Sequence, residues 1–390
     1  MNSNKKLLVP LVLMVAAAYG SWRVYAAASS FKAPQMSAPA KSASFRLALP
    51  AYKFVFPRDH AAHPEYSTEW WYYTGHLQAR SGRRFGYELT FFRQALTPQI
   101  MQRASRWATR DIIFAHFAIT DESGQRFFPT DRIARAAAGV AGAQTQKPQV
   151  WIGDWDVQFR GKTQTLRAAA RSKDGTHLGI ELTQTTQKPP VIHGINGVSQ
   201  KAAGRGQASH YYSFTRLSTR GTLRLGDERF DVVGQSWFDH EFGSNQLAPG
   251  QVGWDWFSLQ LDDGRELMLY RMRLRNGCTD PYSSGTIVEK NGSSRHLKVN
   301  DYRIEPLATW RSADTKATYP TSWRLSLPRE NISLEVEATL PNQEFVARQS
   351  IGISYWEGSV RVLGTQRDKP IRGQGYVELT GYDKPFSKTF

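Results

Sequence analysis

The chain lacks most of the features that announce a chemistry. It has one cysteine, Cys278, in 390 residues. No disulfide can form within it, so each domain must be held by its own core. After the N-terminal segment, no stretch is apolar enough to span a membrane as a helix. The G-x-S-x-G turn of a nucleophilic serine does not occur; GQSWF at 234–238 lacks the second glycine. Gly373-Gln374-Gly375 is a lone G-x-G with no strand-then-helix setting, which argues against dinucleotide binding. His60 and His63, with Asp239 or Glu241, offer metal donors, but no local spacing matches a known zinc pattern. No cofactor and no metal are expected. Acids are also scarce, 34 against 50 basic residues, for a net charge of +16. Such a balance suits an anionic surface such as phospholipid headgroups, or serves only solubility. Nucleic acid is not the expected partner. The aromatics that would stack bases fall in strand cores, and the N-terminus reads as an export signal.

What is present begins with that signal. Lys5 and Lys6 precede the apolar run LLVPLVLMVAAAYG, and three alanines at 26–28 offer a cleavage site. Residues 1–28 therefore read as a secretory signal, with a retained anchor as the alternative. A periplasmic or secreted location is expected. Residues 29–50, rich in Ser, Ala and Pro, read as a flexible tether. The remainder is long enough for two domains at roughly 100–200 residues each, placed at 51–245 and 246–390.

From residue 51 the pattern is short apolar runs divided by turn pairs such as Ser81-Gly82, Asp263-Gly264 and Asn291-Gly292. FAHFAIT at 114–120 and ISLEVEATL at 332–340 are rich in aromatic and β-branched residues. The only helix candidates are short: TPQIMQRAS near 97 and TDRIARAAA near 130. The fold class is all-β, with antiparallel sandwiches or barrels. An internal repeat sharpens this. WWYYTGHL at 70–77 matches WDWFSLQL at 254–261, and each is followed by a strand opening Glu-Leu, ELTFFR at 88–93 and ELMLYR at 266–271. Two β domains of similar build follow. In an extended strand Trp70, Tyr72, Thr74 and His76 share one face, while Glu69, Trp71, Tyr73 and Leu77 share the other. Bulk on both faces suits a barrel wall. Which face lines a cavity depends on a one-residue register.

Chemistry concentrates in GQSWFDHEFGS at 234–244. Asp239, His240 and Glu241 are consecutive ionisable groups framed by Trp237, Phe238 and Phe242. A carboxyl among aromatics is raised in pKa and can act as a general acid near neutral pH. The alternative is a buried polar knot that ties two domains. RDHAAHPEYSTEWW at 58–71 offers a second ionisable lead-in. His116, between Phe114 and Ala118 on one strand face, reads as a core histidine. Candidate catalytic residues are Asp239, His240 and Glu241. Candidate ligand contacts are Glu69, Trp70, Trp71, Tyr73, His76, Trp237, Trp254, Trp256 and Tyr270.

HPEYSTEWWYYTGHL, WFDHEFGS, WDWFSLQLDDGRELMLYR, YWEGSV and GQGYVELTGY together resemble the AttH-like proteins, a group similar in turn to the carotenoid 1,2-hydratases. The likeness spans about 51–390. It implies two lipocalin-like barrels in tandem, export, and association with lipid-handling ABC transport systems. Many such proteins carry the label of secreted hydrolase. The resemblance implies a carrier of an apolar lipid or isoprenoid held in the barrels, or a hydratase that protonates an isoprenoid alkene through Asp239, with Trp237 sheltering the cation and His240 holding water. Where the hydratase pattern carries a carboxylate on the strand of the second hairpin, this chain reads Tyr270-Arg271-Met272. Phe242 stands where that pattern carries Trp.

Overall fold

The computed structural model describes residues 44–99, 105–245, 247–350 and 352–385. The signal-like segment and most of the tether lie outside them. Among the described residues there are two antiparallel sheets and three short 3-10 turns. The first sheet holds β1 (Thr68–Ala79), β2 (Arg84–Ala95), β3 (Asp111–Asp121), β4 (Arg126–Arg135), β5 (Ala141–Ala143), β6 (Gln149–Ile152), β7 (Trp155–Arg160), β8 (Thr163–Arg171), β9 (His177–Thr186), β10 (Val191–Ile192), β11 (Ser199–Gln200), β12 (Ala208–Leu225) and β13 (Glu228–Gly243). The second holds β14 (Gln251–Leu261), β15 (Glu266–Leu274), β16 (Ser284–Val288), β17 (Ser294–Lys298), β18 (Arg303–Arg311), β19 (Thr318–Leu327), β20 (Ile332–Ala338), β21 (Glu344–Val346), β22 (Ser354–Gln366) and β23 (Lys369–Thr380).

Both sheets follow one plan. Four strands meander, and the first of them then pairs with the last strand of its half: β1 with β13, β14 with β23. Each sheet curls until its edges approach, giving the tandem lipocalin-like build. In the first, Arg132 on β4 lies over the Trp155 ring at 4.3 Å and reaches Ile152 O on β6. In the second, the edge strands β17 and β18 are joined through the turn Val299–Asp301.

The repeat seen in the sequence is a real equivalence, with one correction. Trp70 pairs with Phe92, and Trp254 with Met272. Carrying this register along, Glu88 faces Thr74 whereas Met268 faces Ser258. The two Glu-Leu pairs are therefore offset by two residues. An offset of two preserves the face, so Glu88 and Glu266 both point out of their own barrels.

The barrels are solid. In the first, Trp71, Tyr73, Phe91, Trp155 and Phe238 pack into one continuous core with the aliphatic residues of β3 and β6–β9. In the second, Phe257, Tyr319, Trp323, Leu325 and Trp356 do the same. Large aromatic and branched side chains occupy both interiors, where a ligand cavity was expected from the sequence. TDRIARAAA is also not a helix. It is β4 and the bend after it, because eleven-residue β3 supplies a pairing partner that outweighs alanine's helical preference. The helix expected near 97 falls largely outside the described residues, and Thr97–Gln99 is irregular. The end of the tether is docked: Ala48 is buried with Tyr66 and Phe242, and Arg46 N donates to Glu65 O at 2.9 Å.

Candidate active site between the two sheets

A cleft lies between the sheets. It has a volume of about 150 Å³ and opens where the outer faces of the two barrels meet. Strand alternation dictates what reaches it. On β1 the even positions, Trp70 and Tyr72, face the cleft, while Trp71 and Tyr73 are committed to the first core. On β13 the odd positions, Asp239 and Glu241, face it, while His240 points the other way and stacks on Trp71 at 4.9 Å. The second half contributes Trp254, Trp256, Tyr270 and Glu378. Tyr72 and Trp256, equivalent positions of the repeat, meet edge to face at 5.2 Å.

Asp239 is 4% exposed and ringed by neutral donors. Trp237 Nε1 donates to Oδ1 at 2.7 Å, Ser213 Oγ donates to the same oxygen, and Tyr211 OH donates to Oδ2 at 3.0 Å. Trp256 Nε1 donates in turn to Tyr211 OH at 3.2 Å. Burial pushes the Asp239 carboxyl up to about 7, and Glu241 adds to the rise against the pull of these donors. A group poised there can lend a proton and take it back.

A second acid cluster faces it from the β2 side. Glu88 is fully buried and takes hydrogen bonds from Thr90 Oγ1 at 2.9 Å and Tyr355 OH at 3.0 Å, both on Oε1. Its Oε2 has no hydrogen-bond partner among the described residues. His116 Nδ1 lies 2.7 Å from Tyr355 OH, and burial lowers that imidazole to about 3, so it is neutral. Glu357 accepts from Tyr72 OH at 2.6 Å. Glu378 lies deep but keeps surface on the cleft, and accepts from Trp254 Nε1 at 2.9 Å. Burial raises all three acids: Glu88 to about 8, Glu378 to about 7, Glu357 well above the carboxylate range. Glu241 pairs with Lys201 at 3.3 Å, whose ammonium lies 4.2 Å from the Tyr270 ring centre.

Register makes the two clusters counterparts. Tyr72 pairs with Asp239 and Trp256 with Glu378. Asp239 pairs onward with Ser213 and Glu378 with Glu357; Glu241 pairs with Tyr211 and Thr380 with Tyr355. In each half a tyrosine of the penultimate strand, Tyr211 or Tyr355, donates to a buried acid.

The remaining candidates lie elsewhere. Glu69 touches the cleft wall, but its carboxylate belongs to a buried ion cluster at the end of the first barrel. There His63 Nδ1 and His240 Nε2 each lie 2.8 Å from Glu69 Oε1, Arg93 Nε donates to Oε2 at 3.0 Å, and Asp59 stands 3.6 Å from His63 Nε2. Burial opposes charge on both partners. Even so, the bonds from His240 and His63 hold Glu69 below the carboxylate range, and those from Asp59 and Glu69 lift His63 to about 9. His63, Glu69 and His240 have metal-compatible spacing. Arg93 already supplies the cation, so the set reads as a closed ion network. His63 and His60 do not meet Asp239 or Glu241, which lie on the opposite strand face. His76 ties the sheets together, with Nε2 2.9 Å from Gly375 O and Nδ1 3.2 Å from Glu122. The sequence reading missed Glu88, Glu357, Glu378, Lys201, Tyr211 and Tyr355. The first three had a signal: each is a lone Glu inside an apolar strand.

A sequence model of AttH-like proteins matches residues 47–382. The chain belongs to the AttH-like family. Among solved structures, this AttH-like protein is similar to one from Nitrosomonas europaea assigned as AttH, with 31% identity and a TM-score of 0.77 over 87% of this chain and all of that one. It is also similar in fold to kievitone hydratase of Nectria haematococca, with 14% identity and a TM-score of 0.64 over 87% of this chain and 99% of that one. No curated protein matches the AttH-like chain.

Proposed function

We propose that the cleft binds an apolar, unsaturated ligand such as an isoprenoid and catalyses addition or loss of water by acid catalysis, with Asp239 as proton donor. The observation that carries this reading is Asp239 itself: a carboxyl poised near pH 7, buried, and set between indole and phenol rings at a ligand-sized cleft. In the forward direction the Asp239 proton goes to one alkene carbon and the π pair forms the new C–H bond. The neighbouring carbon becomes a cation, faced by Trp254, Trp256 and Tyr72. Water attacks it, and the excess proton returns to the Asp239 carboxylate, which restores the acid. Atoms and charge balance without a cofactor. A hydratase among the structures of similar fold gives this reaction class a precedent on the scaffold.

A carrier reading persists in altered form, with the ligand held between the barrels. Burying a methylene is worth about 0.8 kcal/mol, so a chain can be retained with no chemistry at all. Export, and docking on an anionic membrane or an ABC transporter, belong to the proposal on the strength of the N-terminal sequence and the basic charge.

The test uses a linear isoprenoid with a terminal trisubstituted alkene. Hydration should fall at least about a hundredfold in Asp239→Asn, with ligand retention kept. Unchanged hydration in Asp239→Asn overturns the assignment. Native mass spectrometry showing lipid returned unchanged, with no hydration by the unmodified protein, selects the carrier.

A further inference from the structure

Charge around the cleft divides its acids into two groups. Glu69 is matched by Arg93 and Glu241 by Lys201. Asp239, Glu378 and Glu88 form no ion pair with any described Lys, Arg or His, and every group that donates to them is neutral. Glu88 Oε2 is buried on the cleft wall and accepts from nothing among the described residues. Between these acids stand the rings of Trp70, Tyr72, Phe92, Trp254 and Trp256. An aromatic face is electron-rich and attracts cations, best when water is excluded.

We propose that the cleft is a binding site for an apolar organic cation, an alkyl quaternary ammonium or protonated tertiary amine, with Glu88, Asp239 and Glu378 as counter-charges and the rings as its cage. The inference rests on the cleft being the ligand site. It also names what the site is shaped to hold: a tertiary carbocation has the same charge and a similar shape.

The electrostatics support it. An acid buried without a partner stays neutral because ionisation in a low-dielectric site is costly. A cation arriving within a few ångströms reverses that preference, so binding expels protons. The groups facing each acid are accounted for. Glu88 meets Thr90, Tyr355, Glu357 and Glu378, with neutral His116 behind; Asp239 meets Tyr211, Ser213, Trp237 and Glu241; Glu378 meets Trp254, Glu241 and Glu88; Lys201, which pairs with Glu241, also acts on Asp239 and Glu378. None of these except Lys201 supplies positive charge, and Lys201 is engaged.

The experiment is calorimetric titration of the whole protein at pH 7 with decyltrimethylammonium below its micellar concentration, against 1-decanol and decanoate, in two buffers of different ionisation enthalpy. The cation should bind at least about tenfold more tightly than decanol, decanoate should bind most weakly, and only the cation should release protons. Glu88→Gln and Asp239→Asn, isosteres that cannot ionise, should each cut the proton release and weaken the cation severalfold, with a smaller change for decanol. Decanol binding as well as the cation with no proton release overturns the cation proposal and leaves the apolar cleft standing. Failure of all three ligands to bind removes both. Unaltered cation binding and proton release in both variants puts the cation elsewhere and also overturns the proposal.

Discussion

Two faces of one strand pair carry buried ionisable groups in opposite states. On the inner face of β1 and β13, Glu69, His63, His240, Arg93 and Asp59 form a cluster in which each charge has an answering charge within 4 Å. On the outer face, Asp239 and its neighbours Glu88, Glu357 and Glu378 have hydrogen bonds but no answering cation. The first arrangement uses ionised groups as structural ties. The second holds acids raised in pKa, met by neutral donors. That difference, more than burial, marks the outer face as the chemical one.

The comparison breaks most sharply in Glu69→Gln. Arg93 would keep only Asp111 and His63 only the longer contact to Asp59, so unfolding free energy should fall by about 3–5 kcal/mol, read by denaturant titration. Asp239→Asn, one layer away, should leave stability at pH 7 unchanged or raise it. A comparable loss in both variants would erase the distinction. Next in size is a tryptophan pair. Trp71→Ala hollows the first core and should cost about 3–5 kcal/mol. Trp70→Ala on the adjacent position should cost far less and instead weaken ligand retention.

Stability against pH gives the third test. The folded pKa values of Asp239, Glu378, Glu88 and His63 all lie above their ordinary values. A raised folded pKa means that the stabilising contribution is complete below the ordinary value and is lost as pH climbs through the folded one. The acids' share therefore fades between about pH 4 and pH 7–8, and that of His63 between 6.5 and about 9. Glu69 and Asp59, depressed in the fold, lose their share progressively as pH falls below about 4. The thermal midpoint should peak in mild acid and decline toward pH 9, and Glu88→Gln should flatten the part of that decline near pH 8. A profile flat from pH 5 to 9 would contradict the uncompensated-acid picture.

The smallest effect tests the packing of the two sheets. A Cβ on Gly86 would stand 2.9 Å from Ser359 Cβ and 3.2 Å from Thr120 Cβ. Gly86→Ala should cost about 1–3 kcal/mol and loosen the cleft without touching either charge set, seen as faster hydrogen exchange at β22.

The sequence made the fold class legible because turn pairs and alternating aromatics have few other solutions, and the repeat disclosed that β1 and β14 occupy matching places. It also singled out Asp239. It did not disclose that the ligand space lies outside the barrels, since that depends on a one-residue choice of face at Trp70 and Trp71. Nor did it show that Glu88 and Glu357, nearly 270 residues apart in the chain, would meet. Glu378, in a strand read only for family likeness, lies two strands across from Tyr270, with Trp256 between them.

The matched strand registers carry one more consequence. Ser213 occupies on one wall the place that Glu357 occupies on the other, and Tyr72 the place of Trp256. A rod-shaped guest lying across the cleft cannot be turned end for end without exchanging a hydroxyl for an acid and a phenol for an indole. For the ligand proposed above, the duplicated halves would provide a head and a tail, with one orientation bringing its reactive end to Asp239.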